Sequence, residues 1–438
     1  MQIALINSAQ DPAGAAIRAR LLDVLENPGA EPVVHAGNRF VFLETGGRLI
    51  YEEGLDERIA ADVFIFISRH TSIQAVPALT VHVTGNITTA DYGGAPRSLA
   101  RAAPAWMHAI LNNLPAAAPE GYRVSYEVTH HGPSDIMTPS LFVEIGSTEK
   151  EWRDPAAADA VAHSILAADP TGTIPFVGFG GNHYAARQTS IALSSRAAFG
   201  HIAHSRQAEE IDRGMVRLMR DRTGAVAAYI DRKAVSRAVF RRLESLCTEE
   251  GLVCLSESEI LGIGALEWDA YSALRACVEK MVPGARLHTN ALSGAGTPVI
   301  VDIDPILLGE ALKSDQKRFL EMLSEIPAGH LIPEGGIMLP RFLTFREHRS
   351  RIIHDLITSC VKIIISSENT AVEGDRLIIR RVRFDPRKAR EAGVTAGPLF
   401  GRLAEGVSVD IGGTTVTPEM VSTCSESIIR VPGLERYL

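Results

Sequence analysis

A chain of 438 residues with 46% hydrophobic and 22% charged content is long enough for two domains with complete cores. No apolar run reaches the roughly 18 residues a bilayer span requires, so a membrane protein is not expected. The net charge of −8 taken alone argues against a nucleic-acid partner, although its distribution along the chain matters more than the sum. Five scattered cysteines without a CxxC pair argue against a thiolate-built zinc and for a reduced, cytoplasmic setting.

In chain order, the apolar spacing predicts a strand at 3–6, entered directly from Met1 without a charged secretory leader, and a helix at 13–26. A hairpin of 40–44 and 48–51 is expected around Gly46-Gly47, followed by strands at 62–67 and 79–83. Next come a helix at 98–113, strands at 122–128 and 140–145, a helix at 155–168 and a strand at 174–179. Helices at 207–221 and 232–247, with a strand at 226–230 between them, complete the first half. Strands spaced by helices of this length predict an α/β fold with a mostly parallel, doubly wound sheet, with antiparallel pairing allowed near 122 and 140. The texture changes near 258. We expect a catalytic domain over 1–257 and a second, smaller α+β domain over 258–438, whose last 60 residues turn at Gly412-Gly413.

Four of the predicted strands end in polar, histidine-bearing loops. These are Ser68-Arg69-His70-Thr71, then His82 with Thr84 and Asn86, then Glu127-Val-Thr-His130-His131, and Gly180-Gly181-Asn182-His183-Tyr184. Imidazoles and carboxylates are costly to desolvate, and ligands of parallel α/β sheets sit at the carboxyl ends of strands, so the loops are expected to converge. Period-two alternation puts Glu127, Thr129 and His131 on one face and His130 on the other; His82 shares its face with Asn86. The candidate catalytic residues are His82, Glu127, His130, His131 and His183. Of these, His82, Glu127, His131 and His183 are the candidate metal ligands. Ser68, Arg69, His70, Thr71, Asn86, Gly180, Gly181, Asn182 and Tyr184 are candidates for substrate contact. Such a set suits either a metal-activated water or imidazole acid/base chemistry oriented by carboxylate, and the residues alone leave both open. The plainer alternative is a set of hydrogen-bonded loop polars. No GxSxG, GxxxxGK[ST] or HExxH motif is present, and the third glycine of a dinucleotide fingerprint is displaced at 178–181.

The motifs Ser68-Arg-His-Thr-Ser72, Thr80-Val-His-Val-Thr-Gly-Asn86, Glu127-Val-Thr-His-His-Gly-Pro133 and Gly178-Phe-Gly-Gly-Asn-His-Tyr-Ala-Ala-Arg187 together resemble the archaeal and plant type of D-aminoacyl-tRNA deacylase. Ala4 to Pro12 and Ala228 to Lys233 fit as well, so the resemblance covers roughly 1–257. It implies a fold related to peptidyl-tRNA hydrolases and nucleoside phosphorylases, hydrolysis of the ester joining a D-amino acid to tRNA, and zinc as cofactor. It implies no protein partner, and a monomer is expected. The enzymatic alternatives on such a fold are peptidyl-tRNA and nucleoside hydrolysis; the non-enzymatic one is RNA binding without turnover. Separately, Phe384 to Val409 resembles the closing segment of tRNase Z enzymes, without the HxHxDH motif their nuclease chemistry uses. The basic residues at the start of this segment and just before it, Arg380, Arg381, Arg383, Arg387, Lys388 and Arg390, are expected to contact tRNA, with the arginines of 213–242 second.

Overall fold

A computed structural model describes residues 1–72, 75–333, 336–367 and 369–438. Their contacts divide the chain into two units, Met1–Gly264 and Ala265–Leu438. No described helix is long and apolar enough to cross a membrane.

The first unit holds strands β1 (Gln2–Ser8), β2 (Val33–His35), β3 (Asn38–Thr45), β4 (Val63–Arg69), β5 (Ala78–His82), β6 (Gly85–Asn86), β7 (Ser98–Leu99), β8 (Arg123–Tyr126) and β9 (Ser140–Gly146). Seven of them make one sheet in the order β2-β3-β1-β4-β9-β5-β8. β3, β1, β4 and β9 run parallel, but β5 is antiparallel to β9, and β8 is parallel to β5. The antiparallel pairing therefore joins 78–82 to 140–146; the strand near 122 does not take part in it. β10 (Ile174–Phe179), β11 (Ala197–Ala203), β12 (Ala227–Ile230) and β13 (Val253–Cys254) form a second, parallel sheet in the order β11-β10-β12-β13.

Several expected boundaries move for identifiable reasons. Residues 48–51 are not a strand: Leu49–Tyr51 is a 3₁₀ turn, and β3 pairs instead with β2. The helix expected from 98 begins at Pro104, because 98–99 is strand and Ala102 bridges to Ser140. The helices expected from 207 and 232 start at Arg213 and Arg237, where the side chains of Asp212 and Ser236 cap the first turns. No strand is expected from sequence at β11, since Ala-Ala-Phe-Gly-His-Ile-Ala alternates weakly and is buried on both faces.

Register decides where the chemistry goes. Phe66 pairs with Phe142 and Ser68 with Glu144; Thr80 pairs with Glu144 and His82 with Phe142. Paired residues share a face, so Ser68, Thr80, His82 and Glu144 emerge on one side of the large sheet, beside the stacked rings of Phe66 and Phe142. Because β5 and β8 run against β4 and β9, the polar residues meet over this face and not along one row of strand ends.

The second unit contains an antiparallel sheet of Arg286–His288, Gly329–Ile332, Arg341–Phe345 and Pro298–Asp302. Helices Pro305–Ser324 and Arg349–Ser367 pack together in the same unit, and their buried Leu307, Phe319, Leu356 and Ile363 share one apolar cluster. A three-stranded sheet, Asn369–Glu373, Arg376–Phe384 and Ser422–Arg430, follows. Gly412 and Gly413 turn the hairpin of Val409–Ile411 with Thr414–Val416.

Candidate active site

Glu127 lies one residue beyond β8. Its N–H donates to Val81 O at 3.1 Å, which continues the β5–β8 ladder and brings its side chain over the face that carries His82. The carboxylate is fully buried. Oε1 lies 3.0 Å from His70 Nδ1, and Oε2 lies 3.0 Å from His183 Nε2, 3.3 Å from His130 Nε2 and 4.0 Å from His82 Nδ1. Glu144, from the middle of β9, approaches His70 Nδ1 at 3.6 Å and accepts a hydrogen bond from Ser68 Oγ at 2.5 Å. His82 Nε2 and His131 Nε2 are 3.2 Å apart. His70 is fixed further by its carbonyl, which accepts from Trp152 Nε1, and by Tyr184 Oη, 3.3 Å from its Nε2.

Two buried carboxylates among five imidazoles sort the charge. Burial alone would strip His70 of its proton, but Glu127 and then Glu144 outweigh it and hold the imidazolium up to about 11. Burial likewise pulls the Glu127 carboxyl upward, and His70 with His183 overcomes it, leaving the group well below the usual carboxylate range. Burial, with the neighbouring rings of His130 and His131, drives His82 well down; burial and His131 bring His130 to about 3, and burial lowers His131. An ionised Glu127–His70 pair thus faces three neutral imidazoles.

The tautomers of two of these rings follow from their partners. His130 Nδ1 lies 2.7 Å from Val128 O and His131 Nδ1 lies 2.7 Å from Gly132 O. A carbonyl only accepts, so each neutral ring carries its proton on Nδ1 and leaves a lone pair on Nε2. Nitrogens of His82, His130 and His131 lie within 4.8 Å of one another; His70, Glu127 and His183 form a second such group, and His82, Glu127 and Glu144 a third. Both Glu127 oxygens and His82 Nδ1 are buried without an aligned hydrogen bond. Converging nitrogen lone pairs, oriented by backbone carbonyls and set beside unsatisfied buried acceptors, fit a divalent cation that favours imidazole.

The family model described as D-aminoacyl-tRNA deacylase matches residues 57–255, which include every residue of this cluster. A D-aminoacyl-tRNA deacylase of Methanoculleus marisnigri is 51% identical over all of both chains. The chain belongs to the D-aminoacyl-tRNA deacylase family. Another member, from Methanosarcina mazei, is 37% identical over 59% of this chain and 93% of its own. A crystal structure titled as a conserved protein of unknown function, AF0625, aligns with a TM-score of 0.55 at 33% identity, over 59% of this chain and 96% of that one.

Against this geometry, the expected metal quartet of His82, Glu127, His131 and His183 is not one group among the described residues; its members divide between the clusters above. The alternation that sent His130 away from Glu127 fails because β8 stops at Tyr126. Beyond it, Val128 N–H bonds to His183 O and Thr129 N–H to Ile202 O, so the segment turns toward the second sheet, and His131 has φ +44°. Ser68 serves Glu144. Asn86 does not meet the cluster through its amide, which donates to Gly93 O and Ala95 O. Arg69 lies over the Trp152 ring at 5.1 Å. Thr71 and Asn182 are exposed. Gly180 and Gly181 turn the chain at φ +89° and +110°, with Gly180 O accepting from Gln188 Nε2 and Gly181 O from Ser205 Oγ. The residue that sequence reasoning missed is Glu144. Its signal was a lone carboxylate inside the otherwise apolar run Leu-Phe-Val-Glu-Ile, which a strand buried on both faces retains only with a partner.

Proposed function

We propose that this protein hydrolyses the ester of D-aminoacyl-tRNA, releasing the D-amino acid and free tRNA. The observation that carries the reading is the full-length likeness to D-aminoacyl-tRNA deacylases, with the Glu127-centred cluster inside the matched segment. An aminoacyl ester is already activated, so a placed water, a base and charge stabilisation suffice. His183, half-exposed beside the fully buried Glu127, takes the proton from the attacking water, and Glu127 orients its ring. His70, held cationic between Glu127 and Glu144, keeps Glu127 ionised for that task. His82, His130 and His131 would hold zinc, which supplies Lewis acidity when bound. The setting is cytoplasmic, in keeping with five free cysteines.

A substrate panel separates the alternatives. Full-length protein with added zinc should release D-tyrosine from D-Tyr-tRNA and leave N-acetyl-aminoacyl-tRNA and nucleosides intact. Preferred cleavage of the N-blocked ester would favour peptidyl-tRNA hydrolysis, nucleoside cleavage would favour a nucleosidase, and tRNA binding without turnover of any of them would leave only an RNA-binding role.

A further inference from the structure

Two large aromatic side chains stand open to solvent on segments whose backbones touch the residue after His131. Tyr51 is 54% exposed and Tyr92 64% exposed. The Arg48 guanidinium lies over the Tyr51 ring at 5.6 Å. Both tyrosines flank the backbone contact that supports His131. Gly132 N–H, one residue past His131, donates to Tyr92 O at 3.0 Å, and a Cβ on Gly132 would meet Ile50 O and Gly94 N at 2.5 Å. Gly93, at φ +79°, would bring a Cβ to 2.0 Å from Ile50 O and 3.0 Å from Tyr51 Cδ1. Glycine at 93 and 132 therefore lets three segments lie backbone to backbone, which sets Tyr51 and Tyr92 on the two segments that press against the residue after His131.

The platform is also rigidly registered. Glu53 accepts from Ser134 N–H, Asp135 from Gly54 N–H, and Asp56 from Met137 and Thr138 N–H. Glu52 pairs with Arg58 at 2.6 Å. These bonds tie residues 52–58 to the loop that follows the histidines, and Arg48 and Asp91 are exposed charges beside the two rings. Leu49, buried between them, anchors the turn.

We infer that Tyr51 and Tyr92, with Arg48, form a stacking subsite for the unpaired bases at the 3′ end of the tRNA. This rests on the D-aminoacyl-tRNA reading and deepens it. The reacting ester sits on the terminal ribose, so its own base and the preceding one must lie within a nucleotide or two of the cluster. Exposed aromatic faces beside a guanidinium offer these bases stacking that tolerates any base identity. Docking of a protein would need a broader apolar surface, and two isolated tyrosines do not supply one.

The test is a coupling measurement on full-length protein. With D-Tyr-tRNA, the paired substitution Tyr51→Ala and Tyr92→Ala should raise KM about tenfold or more, with a much smaller effect on kcat. Phenylalanine at both positions should restore KM, since the ring and not the hydroxyl is used. A D-Tyr-tRNA with abasic residues in place of the terminal adenine and the preceding cytosine should raise KM similarly for the parent protein and add little for the alanine pair. Additive penalties, an unchanged KM in the alanine pair, or a phenylalanine pair as poor as the alanine pair would overturn the proposal. If the parent protein leaves D-Tyr-tRNA intact, the functional reading fails separately; binding of a CCA trinucleotide that disappears with the alanine pair would still support the subsite, and binding that persists would overturn it.

Discussion

His201, fully buried on β11, shows what one residue outside the reacting cluster contributes. Its Nε2–H donates to Ala100 O at 2.9 Å, and its Nδ1 lies 3.1 Å from Thr129 Oγ1, which ties the second sheet to the segment carrying the histidines. Burial lowers this imidazole from 6.5 to about 4. The unfolded chain therefore takes up the proton first as pH falls below 6.5, and stability declines from there to about pH 4, by about 3 kcal/mol. Denaturant melts of the protein and of His201→Gln between pH 7 and 4 check this; an acid limb equally steep in both would refute it. Glu144 is the complementary case. Glu144→Gln leaves the volume intact but removes one of the two anions that keep His70 charged, and a change so close to the reacting groups should lower kcat about 10- to 100-fold. Steady-state rates on D-Tyr-tRNA measure it. His131→Ala should lose both bound zinc, by elemental analysis, and activity.

Among the elements, the helix Arg213–Thr223 carries the first part of the basic stretch 213–242 named from sequence, and its Arg213, Arg217 and Arg220 are already engaged. Arg213, Arg217 and Arg220 reach Glu250 at 2.5, 2.9 and 3.5 Å, and Arg242 donates to Ile211 O and Ala208 O. Arg217 and Arg213 hold the Glu250 carboxyl at about 2, so its stabilising effect is present above the ordinary carboxylate pKa and is lost as pH falls toward 2. Glu250→Gln should flatten the acid-unfolding profile between about pH 4.5 and 2; an unchanged profile would mean the pairing contributes nothing. The element scale is also where sequence reading succeeds and stops. The apolar strands near 63, 78, 140 and 174 were legible because continuous β-branched and aromatic runs have few alternatives. The reversal of β5 and β8 was not, since strand direction is a non-local choice. That reversal puts the site over a sheet face, and the same non-locality hid the approach of Glu144 to His70, 74 residues apart in the chain. His130 was misplaced because alternation was extended past the end of its strand.

In the whole molecule, every residue of the cluster lies in Met1–Gly264, and the Methanosarcina mazei relative matches 59% of this chain. In the second unit, the basic run 380–390 is less free than it reads. Arg380 pairs with Glu426, Arg381 with Glu310 and Arg387 with Glu391, and Lys388 donates to Ser422 O. Arg383 and Arg390 are the two of the six whose side chains make neither an ion pair nor a hydrogen bond among the described residues. If this unit meets tRNA phosphates, charge reversal at both should weaken binding of whole tRNA and reduce the slope of log affinity against log salt by about 2; an unchanged slope would mean a solvated face. The reaction proposed for the Glu127 cluster is stereospecific ester hydrolysis. It is tested most directly by single-turnover hydrolysis of D-Tyr-tRNA and L-Tyr-tRNA by the full-length protein with zinc supplied. Rapid loss of the D ester while the L ester persists is the expected result; an intact D ester, or equal rates on both, would rule out the proposed reaction.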